Sequence, residues 1–498
     1  MKHSVFLLLL VLNFAAACTK PSSNSVANAD APPAFSAIRE NELRQDLFML
    51  AGDSMRGKRA GTTDELRAAA WVAEKARAAG LEPAGDDGTY FQFFPLRRTR
   101  VGDNAKLHIN GKSVKLWQDA WVTAPVESNV NSAVVWLKSL ADTAGRNFQN
   151  KVIAMALIAP NPLPVKGMSL WGYRYILAAV RHQNNFLRRQ GAAAIILVAD
   201  SVAETNLAFA GHGFEEGTYQ LEGMSGTINR TTIPIILVRK AQASALQSPN
   251  AKVMASISRE SFVYPSINVV ARAVGSDASL RQEYVLFSGH HDHDGVGVPI
   301  AGDSIWNGAD DNASVSVALL AIGRAWKKEP GRRSALFVWH GAEERGLLGS
   351  RWYAEHPTVK KEAIVAVSNG DMIGRNSPDS AALLGSIPPH RNSTALVDMA
   401  LQANKQFTHF TIDTSWDDQR HPEGWYFRSD HLPYARAGIP AIFFTTLLHP
   451  DYHTPRDEPQ RIDYTKLARM TRWMYATGWA ISNTPQRLTV DPGFKLER

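Results

Sequence analysis

The residues best placed to do chemistry are two histidines and three carboxylates that follow one another in the C-terminal half of the chain. His290 stands in Ser288-Gly289-His290-His291-Asp292, and Asp310 in Gly308-Ala309-Asp310-Asp311-Asn312-Ala313-Ser314. Glu344 sits beside a second glutamate in Ala342-Glu343-Glu344-Arg345-Gly346. Asp371 in Asn369-Gly370-Asp371-Met372 and His453 in Tyr452-His453-Thr454-Pro455 complete the set. Imidazole and carboxylate are the donors that borderline and hard divalent cations take. The set suffices for two ions, and the chemistry to expect is metal-assisted hydrolysis.

Each motif fits a separate task. Asp292, two residues after His290, suits a carboxylate that orients the histidine through its other ring nitrogen. At the end of a strand His290 and Asp292 point the same way and His291 the opposite way, which favours His290 as the ligand. A carboxylate has two oxygens and can bridge two metals about 3.5–4 Å apart. Asp310, in a turn ahead of a helix, is the expected bridge, with Asp311 a supporting carboxylate beside it. Glu343 and Glu344 would diverge by about 100° in a regular helix. Only an irregular strand-to-helix junction lets one hold a metal while the other takes a proton from water.

The elements around these motifs must bring them together. Tyr284 to Gly289, Ser334 to Trp339 and Ala363 to Ser368 are apolar runs of strand length, each ending just before a candidate ligand. Ser314 to Trp326 and a segment around Arg351 to Ala354 read as the intervening helices. Strand and helix in alternation predict an α/β fold, with a mixed, mostly parallel central sheet and helices on both faces in three layers. Such sheets place their sites past the C-terminal ends of the strands.

At 498 residues the chain is long for one domain. Apolar content of 45 % and charged content of 20 % are those of a soluble globular protein. A net charge of +7 without long basic runs favours a solvated surface, so no nucleic-acid partner is expected. Residues 1–18 read as a signal peptide: a basic start, the apolar run Val5 to Leu12, then Ala15-Ala16-Ala17-Cys18. Cys18 after small residues is similar to a bacterial lipobox, where the thiol is acylated. It is the only cysteine, which excludes intrachain disulfides. Residues 19–38 read as a flexible tether. A discontinuous main domain is expected over 39–118 and 258–485, a small β-rich insert over 119–257, and a tail over 486–498. Asp417, Asp418, Trp425 and Tyr426, in a long segment before Ser429-Asp430-His431, are candidates for a pocket rim.

The His-x-Asp, Gly-Ala-Asp-Asp-Asn-Ala-Ser, Glu-Glu-x-Gly-Leu-Leu-Gly-Ser, Asp-Met-Ile-Gly-Arg and Tyr-His-Thr-Pro-x-Asp motifs, in this order, resemble the metallopeptidase family of bacterial two-zinc leucyl aminopeptidases and glutamate carboxypeptidase. The order of elements in the insert is similar to the protease-associated domain of secreted peptidases. The resemblance implies two zinc ions per chain, with Asp310 bridging, His290 and Asp371 at one ion, and Glu344 and His453 at the other. It implies Glu343 as general base, Tyr452 as a donor to the oxyanion, and a cis peptide between Asp310 and Asp311. It further implies a peptide substrate with a free N-terminus, hydrolysed by an exopeptidase. The lipobox-like Cys18, followed by Thr19, leads to the expectation of an exported, periplasm-facing outer-membrane lipoprotein that meets the membrane only through a lipid at Cys18. A glutaminyl cyclase, a carboxypeptidase and a metal-free binding protein share the fold and are the alternatives. Val315 departs from the glycine of many relatives.

Overall fold

The computed structural model describes residues 32–160, 168–223 and 233–496. The signal peptide, Cys18 and most of the expected tether lie outside them. Four parallel strands form the heart of the main sheet, in the order Ala441–Thr445, Ile364–Gly370, Tyr284–His290, Ser334–His340. All four are buried throughout, which is why they read as unbroken apolar runs. Antiparallel strands flank them: Ser380–Leu384 on one side, Arg259–Ala273 and Phe91–Val101 on the other.

Helices cover both faces. Thr63–Ala78, Ser314–Lys328, Thr394–Ala403 and Tyr464–Asn483 bury one core with the sheet, where Phe287 stacks on Phe337 at 5.5 Å. Leu348–Glu355 and His431–Arg436 close the other face around Tyr353 and Tyr434. The three-layer α/β architecture expected from the sequence is therefore present. No helix among the described residues is long and apolar enough to cross a membrane.

Val315 has a structural place. It is fully buried on the helix Ser314–Lys328, against Gly289 and Gly370, the residues just before His290 and Asp371. A Cβ on Gly289 would come within 2.5 Å of Val315 Cγ1, and one on Gly370 within 3.0 Å. The branched side chain occupies the notch left by two glycines, so the helix lies close against the strand ends that carry two candidate ligands.

A second sheet lies between Phe91–Val101 and Arg259–Ala273 in the chain. Its order is Lys112–Val114, Lys106–Ile109, Lys252–Ile257, Ser128–Leu137, Val152–Ala156, Ala194–Val198, Ile235–Val238, Ala120–Val122. Separate apolar clusters fill its two faces. The insert thus begins near residue 102, not 119, because Lys106–Ile109 pairs with Lys252–Ile257, 144 to 150 positions on. It is also less purely β than expected. Two long helices, Leu170–Leu187 and Ser201–Glu216, pack on it.

Both ends of the described residues are better anchored than the sequence suggested. Within the expected tether, Ile38 is fully buried, Phe35 packs against Phe407 and Tyr475, and the Tyr475 hydroxyl bonds to the Pro33 carbonyl. In the expected tail, Asp491 accepts the Thr394 N–H and hydroxyl, and Leu488 is buried.

Candidate metal centre

The parallel strands deliver His290 and Asp371 at their C-terminal ends, and the turn after Ser334–His340 delivers Glu343 and Glu344. The loop following Ala441–Thr445 carries His453. The adjacent glutamates can both face the site because Ala342 and Leu347, at φ +52° and +59°, break any helical progression there. Asp292 fixes the turn, its carboxylate accepting the N–H of Glu343 at 3.0 Å and of Glu344 at 3.4 Å.

Asp311, not Asp310, is the aspartate that faces both histidines. Asp311 Oδ1 lies 3.2 Å from His290 Nε2, and its Oδ2 lies 3.1 Å from His453 Nε2. Asp310 turns the other way. Its Oδ1 accepts the Gly374 N–H at 2.7 Å, and burial, reinforced by Asp457, pushes its carboxyl up to about 8. The cis peptide is likewise one residue later than expected, between Asp311 and Asn312.

Around Asp311 two donor groups form. His290 Nε2 is 3.6 Å from Asp371 Oδ2 and 3.8 Å from Glu343 Oε2. His453 Nε2 is 3.2 Å from Glu344 Oε2. Both histidine Nε2 atoms are buried without a hydrogen-bond donor or acceptor in good geometry, as expected of atoms aimed at a cation. Their Nδ1 atoms are engaged: His290 Nδ1–H donates to the Asp292 carbonyl at 3.2 Å, and His453 Nδ1 meets Asp294 Oδ2 at 2.8 Å. Such contacts fix the tautomer and leave Nε2 free to ligate. Among the described residues three overlapping sets of donors lie close enough to hold a divalent ion: His290, Glu343 and Asp371; His290, Asp311 and Glu344; and Asp294, Glu344 and His453. His291 faces away, fully buried, with its N–H on the His340 carbonyl.

The two remaining candidates flank this cluster. Glu343 is nearly buried. Burial pushes its carboxyl well above the usual range, opposed by His290 and reinforced by Glu344. The Tyr452 ring lies 4.0 Å from that of His453, and burial holds its hydroxyl far above the ordinary phenol range, so it stays protonated.

Several participants escaped sequence reasoning. Asp294 orients His453, and His293 Nδ1 contacts Glu344 Oε1 at 2.8 Å. Asp457 accepts the N–H groups of Asp310 and Asp311 at 3.0 Å each. Lys58 is a fully buried cation behind the carboxylates, its amine lowered to about 8 by burial against the pull of Asp457, Asp311, Asp292 and Glu344. A signal existed for two of them: Asp294 ends the run His290-His291-Asp292-His293-Asp294, and Asp457 closes the motif that contains His453. Replacing Asp294 by asparagine is expected to weaken metal binding about 10–100-fold. Competition against a chelator measures this, and an unchanged affinity would show that Asp294 does not orient His453.

The insert reaches the site through its second helix. Glu216 Oε1 pairs with Arg59 at 2.8 Å and its Oε2 with Arg345 at 3.1 Å, while Arg345 also lies 3.4 Å from Asp294. An ionic chain therefore runs from the insert to the carboxylate that holds His453. Beside it opens a cavity of about 550 Å³, walled by the two insert helices, Trp306, and Pro422, Glu423 and Arg428. These last three, rather than Asp417, Asp418, Trp425 or Tyr426, are what the long segment before Ser429 gives to the rim. Asp417 is instead buried, accepting N–H groups from Gly385, Ser386 and Ile387, and Tyr426 stacks on His390.

Residues 268–478 match the model of peptidase family M28. This part of the chain is similar to that family. Aminopeptidase YwaD of Bacillus subtilis is 25 % identical to the chain over 246 residues, 48 % of the chain and 49 % of that protein. The leupeptin-inactivating enzyme 1 of Streptomyces exfoliatus is 33 % identical over 145 residues, 28 % of the chain and 29 % of that enzyme. The chain thus spans about half or less of the length of these curated relatives. Among solved structures, BSAP, a zinc aminopeptidase from Bacillus subtilis, superposes with a TM-score of 0.59 at 17 % identity, covering 92 % of the chain and 99 % of BSAP. The aminopeptidase from Aneurinibacillus sp. strain AM-1 gives 0.58 at 18 % identity, over 92 % and 97 %. At this identity the likeness is one of fold, and it extends through the insert as well as the M28 part.

Proposed function

We propose that the chain is a zinc-dependent aminopeptidase that binds two ions per chain and removes N-terminal residues from peptides. The observation that carries this reading is the placement of Asp311, with one oxygen toward each of two histidines and a glutamate pair alongside. His290 and Asp371 would complete one metal position, Glu344 and His453 the other. Bound zinc would polarise the scissile carbonyl and lower the pKa of a water from near 15.7 to about 7. Glu343 takes the proton of the attacking water and passes it to the leaving amine. The protonated Tyr452 hydroxyl, beside His453, donates to the developing oxyanion. Asp294 and Glu344, carboxylates that line the cavity, attract the substrate's α-ammonium, which favours an exopeptidase acting at the N-terminus.

The names of the M28 relatives support aminopeptidase activity and zinc. The insert is taken as a protease-associated module. The leader ending in Ala15-Ala16-Ala17-Cys18 supports export and lipid anchoring at the periplasmic face of an outer membrane.

Elemental analysis of the purified chain lacking residues 1–18, paired with free and N-acetylated aminoacyl-p-nitroanilides, tests the reading. The expected result is about two zinc per chain, with cleavage of the free-amine substrates alone. Cleavage of N-blocked, C-terminally free peptides instead would make the enzyme a carboxypeptidase. A single metal with ammonia released from N-terminal glutamine would make it a cyclase.

A further inference from the structure

The charges lining the cavity are not balanced evenly. Glu216 is held by Arg59 and Arg345, and Asp294 by His453 and Arg345. Glu423 pairs with Arg174 of the first insert helix and lies 3.3 Å from Arg428. Arg181 also lines the cavity, is exposed, and has no carboxylate partner among the described residues.

Helix geometry sets how far this arginine lies from Tyr173 on the same helix face. Tyr173, Leu177 and Arg181 recur every four residues and so share one face of the helix Leu170–Leu187, the face that walls the cavity. The Tyr173 end lies by the metal centre, where the charges of Asp294 and His453 both act on its hydroxyl. Eight residues of helix carry Arg181 about 12 Å further on. An extended peptide covers that distance in about three to four residues. The cavity of about 550 Å³ is of a size that encloses small ligands. The contact between Arg174 and Glu423 ties the insert to the segment before Ser429 across one side of it.

We propose that Arg181 receives the C-terminal carboxylate of a short peptide whose N-terminal residue lies at the metal centre, so that the preferred substrates are peptides of about three to four residues rather than protein N-termini. The inference rests on the aminopeptidase reading and gives it a substrate class. Arginine is suited to the task because its planar donors match a carboxylate in two parallel hydrogen bonds.

The test compares kcat/KM for Leu-Gly-Gly, its C-terminal amide and a longer Leu-Gly peptide, in the wild-type protein and in Arg181→Met, which keeps the apolar stem. The wild type is expected to favour the free acid over the amide about tenfold, the size of one charge-assisted hydrogen-bond contact. That ratio should fall to about one in Arg181→Met, and the wild type should turn over the longer peptide more slowly than Leu-Gly-Gly. Equal rates on acid and amide in the wild type, or a preference that survives in Arg181→Met, would overturn the proposal. Cleavage of leucine p-nitroanilide by the same wild-type sample would then show that the aminopeptidase reading stands. A sample that cleaves neither p-nitroanilide nor peptide would overturn both together.

Discussion

Replacing Glu343 by glutamine is expected to lower turnover by about 10²–10⁴-fold while bound metal stays in place. The amide has the size and shape of the carboxylate but cannot accept the proton of the attacking water. The local fold should survive the change. The turn is held by main-chain N–H groups on Asp292, not by the Glu343 side chain. Metal should survive too, since each histidine has other carboxylates nearer than Glu343, whose Oε2 stands 3.8 Å from His290 Nε2. Steady-state kinetics beside elemental analysis decides the point. Near-wild-type kcat with metal intact would remove Glu343 from the role of base.

The second large effect separates neighbours in the chain. Asp311→Ala is expected to strip both metal positions and with them the activity. The loss of affinity should exceed the about 10–100-fold that follows removal of a merely supporting partner, because each oxygen of Asp311 serves a different histidine. Asp310→Asn is expected to keep its metal. With its carboxyl pushed up to about 8, Asp310 is largely protonated at neutral pH, and asparagine reproduces that uncharged form and can still accept the Gly374 N–H. Metal content of the two variants gives the answer. Loss of metal from Asp310→Asn with retention in Asp311→Ala would reverse the assignment.

That pair also marks where sequence reasoning reached its limit. Side-chain direction can be read from sequence while a regular period persists. The strand Tyr284–His290 holds its alternation to its last residue, so His290 could be told from His291. After Gly308 the period is gone. Asp311 and Asn312 have non-helical angles of φ −104°, ψ 93° and φ −129°, ψ 34°, so nothing local says which of two adjacent aspartates faces the histidines. His293 and Asp294 lie just past the strand for the same reason. The insert boundary failed differently. Lys106–Ile109 and Lys112–Val114 look like any short strands, and their membership in the second sheet is decided by Lys252–Ile257, far along the chain. Residues 32–38 have a tether's composition, and only their contact with Phe407 and Tyr475 makes them part of the core. What survived without tertiary knowledge was the strand–helix order from residue 268 onward, because buried parallel strands declare themselves by composition.

Val101 and Arg259 face one another as register partners at the ends of two antiparallel strands, so the whole excursion from 102 to 258 leaves and returns at one point. Geometrically it is the loop of a hairpin. Each doubling of a flexible loop adds only about 0.6 kcal/mol to closure, and a tight turn could join the same two strands. Chain connectivity therefore puts little constraint on gain or loss of this segment over evolutionary time. Electrostatics constrains it more. Excision would remove Glu216 and leave Arg345, a mostly buried guanidinium next to the glutamate pair, with Asp294 as its remaining close carboxylate. A shortened descendant of this protein would be expected to carry a compensating change at Arg345, and a laboratory deletion without one should hold its metal poorly.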